Sequence, residues 1–315
     1  MRLLSKALLG LAALVLVAAA AGLVVTWAPD RPVEALQARW AGPPSQFLDV
    51  QGQAVHFRDE GPRADPTPIV LLHGTSASLH TWEGWAAALR GQRRVIRMDL
   101  PGFGLTGPDR EGDYSIDAYT RFTLRFLDAM GVQRSVLAGN SLGGEIAWHV
   151  AAAAPWRVER LVLVDAAGYA LDPESVPLGF RLASMPALGW IAEHALPRAL
   201  VEVSVRDVYG DPSRVTEELV DRYYELSLRQ GNRAALGRRL AQLRPGNDAG
   251  RIQTLTIPTL ILWGARDRLI PPKHGQRFHR DIAGSQMVIY EGLGHVPHEE
   301  DPGRTVADVR RFIAR

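Results

Sequence analysis

The chain has 315 residues, enough for one large α/β domain or two average ones and for a substantial buried core. Its 36 Lys plus Arg balance 34 Asp plus Glu, and the formal charge of +2 gives no electrostatic case for a nucleic-acid partner. With no cysteine, disulfides, thiolate metal sites and a cysteine nucleophile are excluded.

Arg2 and Lys6 precede an almost purely apolar run from Ala7 to Trp27, interrupted by Thr26, which has the length of a membrane-crossing helix. The expectation is an N-terminal membrane anchor over residues 1–28. Its N-terminus would be cytoplasmic, Trp27 interfacial, and the catalytic part exported to a periplasm-like side. A cleaved signal peptide ending in the small residues Ala18 to Ala21 is the rival reading, with secretion as its consequence. Residues 29–45 contain several prolines and read as a tether with a short helix around Val33 to Trp40.

Phe47 to Asp59 reads as two strands about Gln51-Gly52, an antiparallel edge hairpin. Ile69 to Leu72 is wholly apolar, as in a central parallel strand buried on both faces, and runs into His73-Gly74-Thr75-Ser76. A helix over Trp82 to Leu89 and a strand over Arg94 to Met98 follow, leading to Asp99-Leu100-Pro101-Gly102-Phe103-Gly104. From Ile116 to Met130 apolar residues recur at helical spacing, with Gly131 where a C′ cap belongs. The strand Val136 to Ala138 then enters Gly139-Asn140-Ser141-Leu142-Gly143-Gly144, and an alanine-rich helix leaves it, to be stopped by Pro155.

After the strand Arg160 to Asp165 the pattern turns helical: Val176 to Ala183, Leu188 to Val208 interrupted at Pro197, and Thr216 to Leu243. Thr216 can start the last of these, although Leu219 stands where a full capping box needs an acid or amide. Strands resume at Pro258 to Gly264 and Met287 to Tyr290, and a helix from Thr305 to Ala314 closes the chain. The alternation predicts an α/β fold with a mostly parallel sheet and right-handed crossovers. Its core would lie in two parts, 46–168 and 251–315, around an inserted helical cap, 169–250.

Gly139 to Gly143 fits G-x-S-x-G, a strand-to-helix turn that exposes a serine at a helix N-terminus. Ser141 needs a base and a carboxylate to orient that base. Asp267 follows the strand ending at Gly264, and His295 follows the strand ending at Tyr290. All three would then meet outside the C-terminal ends of the parallel strands. Asp165 also ends a strand and is the alternative acid. His73 reads as ordering its loop, His149 as a helix or core residue, Asp99 as fixing the Pro101-Gly102 turn, and His298 as a surface or supporting group. No metal site is expected, because Pro297 breaks helical spacing between His295 and His298 and no third ligand is evident. No cofactor is expected, because Gly102 and Gly104 do not complete G-x-G-x-x-G. Asn140 receives no role.

Together, His73-Gly74, Asp99-x-Pro-Gly-x-Gly, Gly139-Asn-Ser-Leu-Gly-Gly and Gly264-x-x-Asp with Gly294-His resemble the α/β-hydrolase fold family from about Phe47 onward. The resemblance implies Ser141 as nucleophile, His295 as base and then acid, Asp267 as its orienter, and backbone N–H groups of Thr75 and Leu142 as the oxyanion hole. It implies a serine hydrolase for carboxylic esters of hydrophobic, lipid-like or aromatic acids. Phe180, Leu182, Met185, Leu188, Trp190, Ile191 and Leu196 are available to line an acyl pocket. The elbow also resembles carbon–carbon bond hydrolases of ring-cleavage products, but Val296 stands where that family tends to carry a tryptophan. Dehalogenases and epoxide hydrolases of this fold use an aspartate nucleophile, against which Ser141 counts. A non-catalytic binding protein on the same fold is the remaining alternative.

Overall fold

The computed structural model describes residues 10, 13–14, 22–170, 185 and 189–314. Eight strands form one sheet in the order β1-β2-β4-β3-β5-β6-β7-β8. They are β1 (Gln46–Val50), β2 (Gln53–Glu60), β3 (Ile69–Leu72), β4 (Val95–Met98), β5 (Ser135–Asn140), β6 (Val158–Val164), β7 (Thr259–Gly264) and β8 (Gln286–Tyr290). The β1–β2 hairpin lies at one edge and β2 runs antiparallel to β4; from β4 to β8 every neighbouring pair is parallel.

The described helices, in chain order, are α1 (Val33–Trp40), α2 (Glu83–Leu89), α3 (Ile116–Ala129), α4 (Leu142–Ala153), α5 (Gly189–His194), α6 (Arg198–Val208), α7 (Glu217–Ser227), α8 (Asn232–Gln242), α9 (Pro272–Asp281), α10 (Pro297–Glu300) and α11 (Pro302–Ile313). Strand periodicity assigns the two faces of the sheet. Val70 and Leu72 of β3 pack with Phe122 and Phe126 of α3 and Ile146 and Trp148 of α4. Ile69 and Leu71 pack on the other face with Trp85 of α2 and Val309 and Phe312 of α11. β3 is apolar on both faces, and the catalytic candidates lie in the loops at the C-terminal ends of the parallel strands.

Between β6 and β7 the described residues form α5 to α8 and no strand. The break at Pro197 falls where the sequence places it, between α5 and α6. The single helix expected from Thr216 to Leu243 is two helices. Thr216 caps α7 by accepting the Leu219 N–H (3.2 Å), but Gly231 at φ +84 reverses the chain before α8. The expected helix from Val176 to Ala183, and Phe180, Leu182 and Leu188, lie outside the described residues.

The expectation of a membrane-spanning anchor with an exported catalytic part is corrected. No helix among the described residues is long and apolar enough to cross a membrane. Residues 7–9, 11–12 and 15–21 of the apolar run, and with them Ala18 to Ala21, lie outside the described residues. Its described end, 22–26, is helical and finishes against the protein itself. Trp27 pairs antiparallel with Ala195, the Leu196 N–H donates to the Thr26 C=O (3.0 Å), and the Trp27 ring meets those of Trp190 and His194 at 6.0 and 5.3 Å. Trp27 is thus half-exposed and in contact with the helical segment between β6 and β7. The segment read as a tether is docked as well. Leu36 and Trp40 of α1 are buried with Leu105 and Leu226, and the Trp40 Nε1–H donates to Glu225 (2.8 Å).

Candidate active site

At the end of β5 the chain turns sharply at Ser141, whose backbone stands at φ 53°, ψ −116°, before α4 begins at Leu142. Positive φ at a residue with a Cβ costs of order 1–3 kcal/mol and persists where the surroundings over-determine it. They do so here: the Ser141 N–H donates to the Val164 C=O (3.1 Å), and its C=O accepts from Glu145 (3.0 Å) and Ala167 (3.1 Å). Glycine is obligatory on both sides of the turn. A Cβ on Gly139 would lie 2.1 Å from the Gly143 carbonyl oxygen, and one on Gly143 would lie 2.1 Å from that of Leu72.

The loops after β7 and β8 supply the partners. Asp267 is buried, and its Oδ1 accepts the N–H groups of Leu269 (2.8 Å) and Ile270 (2.9 Å). Its Oδ2 meets His295 Nδ1 at 2.7 Å. A carboxylate oxygen in that position accepts, so Nδ1 carries the proton and Nε2 is left as the basic nitrogen. Ser141 and His295 border one cavity, with no direct hydrogen bond between them among the described residues. Thr75 and Leu142 border the same cavity, and the backbone N–H of neither has a hydrogen-bond partner among the described residues.

Several groups hold this arrangement. Asn140 is buried, and its Nδ2 donates to the backbone oxygens of His295 (2.9 Å) and Val164 (3.1 Å), tying the serine turn to the histidine loop. The His295 N–H donates to the Val208 C=O (2.7 Å) at the end of α6. Glu300 accepts the N–H groups of Gly210, Asp211 and Gly294. His73 accepts the Leu100 N–H at Nε2 (2.9 Å) and therefore donates from Nδ1 to the Gly74 C=O (2.7 Å), which locks the loop carrying Thr75. Burial pushes its pKa down, in keeping with a neutral ring.

The family described as the alpha/beta hydrolase fold matches residues 67–302. The chain belongs to that family. It is a hydrolase, 32% identical over 288 residues to an uncharacterized protein of Mycobacterium tuberculosis, covering 87% of this chain and 82% of the relative. A 2-hydroxy-6-oxo-2,4-heptadienoate hydrolase of Pseudomonas putida is 30% identical over 258 residues, covering 78% of this chain and 89% of the relative. Among solved structures, a meta-cleavage product hydrolase of Pseudomonas fluorescens IP01 aligns with TM-score 0.75 and 25% identity, over 85% of this chain and 97% of its own. A membrane phospholipase A described as a bacterial virulence factor aligns with TM-score 0.73 and 26% identity, over 98% of both chains.

In this hydrolase the cavity holds about 490 Å³. Its walls are mostly apolar, with Leu196, Leu200, Val201, Val205, Leu236 and Leu240 contributed from the helical segment between β6 and β7. Two buried arginines border it. Arg233 is paired with Asp30 (2.7 Å), while Arg239 has its guanidinium over the Tyr119 ring and an Nε with no hydrogen-bond partner among the described residues. Glu145 stands 3.9 Å from Arg239, and burial pushes the Glu145 carboxyl up.

Asp165, Asp267 and His295 are the one group of potential metal ligands clustered among the described residues. Asp267 and the His295 Nδ1 are already committed to hydrogen bonds with protein groups. His298 is not at the surface but a supporting group: it is fully buried, its ring tilted against that of Trp82 with centroids 4.0 Å apart, and bonded to Thr81 (3.1 Å). The backbone clamp at Val208 and the Glu300 carboxylate had no sequence signal beyond the glycines at 210 and 294, where a Cβ would strike the opposing backbone.

Proposed function

We propose that this hydrolase cleaves carboxylic esters of hydrophobic acids through an acyl-enzyme on Ser141. The observation that carries the reading is the 2.7 Å bond between His295 and Asp267 at the cavity that Ser141 also borders. In the first step Ser141 Oγ attacks the ester carbonyl carbon while His295 Nε2 takes the hydroxyl proton. The N–H groups of Thr75 and Leu142 receive the oxyanion, each donor being worth about 2.7–4 kcal/mol in such a site. Collapse expels the alcohol, which is protonated by His295. A water molecule, deprotonated by His295, then attacks the acyl-enzyme and releases the acid.

The apolar cap helices, with Leu196, Leu200, Val201, Val205, Leu236 and Leu240 around the cavity, favour a lipid-like or aromatic acyl group. Likeness to a phospholipase A supports ester chemistry. A carbon–carbon hydrolase of meta-cleavage products is the second reading, favoured by the relatives of that activity and by Arg239, an incompletely bonded cation able to meet a substrate carboxylate. Turnover of p-nitrophenyl esters of increasing chain length, set beside turnover of a 2-hydroxy-6-oxo-dienoic acid, separates the two. The ester reading predicts kcat/KM rising from acetate to medium-chain esters. Turnover of the dienoic acid with no ester hydrolysis would establish the second reading instead.

A further inference from the structure

Asp165 follows β6 directly and is fully buried. Its backbone stands at φ 43°, a conformation that Asp and Asn tolerate better than most side chains. Oδ1 accepts the Gly264 N–H (2.9 Å), but Oδ2 has no hydrogen-bond partner among the described residues. The carboxylate nevertheless packs against the Asp267–His295 pair, one ligand atom of each of the three lying within 4.8 Å of the others.

Two buried carboxylates in contact do not both ionise, because neither is hydrated and each repels the other. The partners decide which keeps its charge. Asp267 receives two backbone N–H groups and the imidazole N–H, whereas Asp165 receives one N–H. We infer that Asp165 is a neutral carboxylic acid whose Oδ2–H donates to the Asp267 carboxylate, making it a positioning residue for the Asp267–His295 pair. This satisfies the orphaned oxygen and removes the repulsion with one proton. Burial, and then the charge of Asp267, push the Asp165 carboxyl well above the usual carboxylate range, with Glu300 adding to the effect. The other titratable groups facing the site are His295, His298 and Glu300; the Glu300 carboxylate is engaged by three backbone N–H groups.

The inference rests on the Ser141, His295, Asp267 reading for its kinetic consequence, though not for the protonation state itself, so two measurements are made. Infrared difference spectra of the intact protein at pH 8 should show a protonated-carboxyl band that disappears in Asp165→Asn. Its absence overturns the inference, and Ser141→Ala should leave it in place. In kcat/KM against pH, Asp165→Asn is neutral like the acid it replaces and still offers an N–H donor. It should therefore keep the acid limb and retain activity within about threefold of the unaltered enzyme. Asp165→Ala removes the donor and concentrates negative charge on Asp267. The acid limb should then move to higher pH, with kcat falling about tenfold or more.

An ionised Asp165 predicts the opposite sign, because deleting its charge in Asp165→Asn would move the acid limb to lower pH; that result overturns the inference. A merely structural role would move neither limb. Retained ester turnover in Ser141→Ala would refute the nucleophile assignment, while the infrared band decides the state of Asp165 independently.

Discussion

Replacing Asn140 tests the coupling between the serine turn and the histidine loop. In Asn140→Ala the Val164 C=O keeps the Ser141 N–H, but the His295 C=O loses the one partner it has among the described residues. A buried carbonyl left unpaired costs about 1–3 kcal/mol. The expected loss of stability is about 2 kcal/mol, read in urea unfolding or as a fall in Tm of about 3–4 °C for a chain of 315 residues. The histidine loop is no longer tied to the elbow, so kcat should fall about tenfold with KM little changed. Asn140→Asp should be worse at pH 7.5, since a buried carboxylate would face two carbonyl oxygens. Its folded-state pKa would be raised, so this variant alone should gain stability relative to the unaltered protein as pH falls and the carboxyl becomes a donor. Equal stability of the unaltered protein and Asn140→Ala, or equal damage from Ala and Asp at pH 7.5, would refute the reasoning.

Three further outcomes are expected. Gly143→Ala drives a Cβ against the Leu72 carbonyl oxygen and should cost about 3 kcal/mol or more, whereas Gly131→Ala, at φ +66 with open space around it, should cost about 1 kcal/mol, as compared by chemical denaturation. Acid should destabilise the fold early. Burial lowers His73 and His298, and lowers His80 and His149 to about 3, so the unfolded chain binds protons near pH 6.5 that the folded one refuses. Stability is then full above pH 6.5 and falls by about 1.4 kcal/mol per pH unit for each such histidine below it, which urea midpoints from pH 7.5 to 5 will show. A flat profile would contradict this.

Much of the fold was legible because its central strands are short apolar runs and its helices have clear stops: β3 at Ile69–Leu72, the break at Pro197, the end of α3 before Gly131. What escaped had weak local signals. α9, PKHGQRFHRD, is mostly polar and buries His274, Gly275 and Phe278, so its inward face carries only one large apolar residue for a sequence reading to find. Gly231 splits one helix into two because its left-handed backbone is set by the turn that leads back to Gly104 and Pro108, not by its neighbours in sequence. The N-terminal apolar run has the composition of a membrane span, yet the partners of its described end, Ala195 and Trp190, are distant in sequence and invisible to a hydropathy reading. At the candidate site, motif and strand-end position pointed to the residues that the fold brings together. The tasks of Asn140, Glu300 and Asp165 depend on contacts across loops, which spacing does not encode.

The most direct test of the account is covalent labelling of the purified protein with a fluorophosphonate, followed by mass analysis of the labelled peptide. The account predicts one adduct, on Ser141, absent from Ser141→Ala and strongly slowed in His295→Ala. Failure of the folded protein to label, or equal labelling of Ser141→Ala, would contradict it.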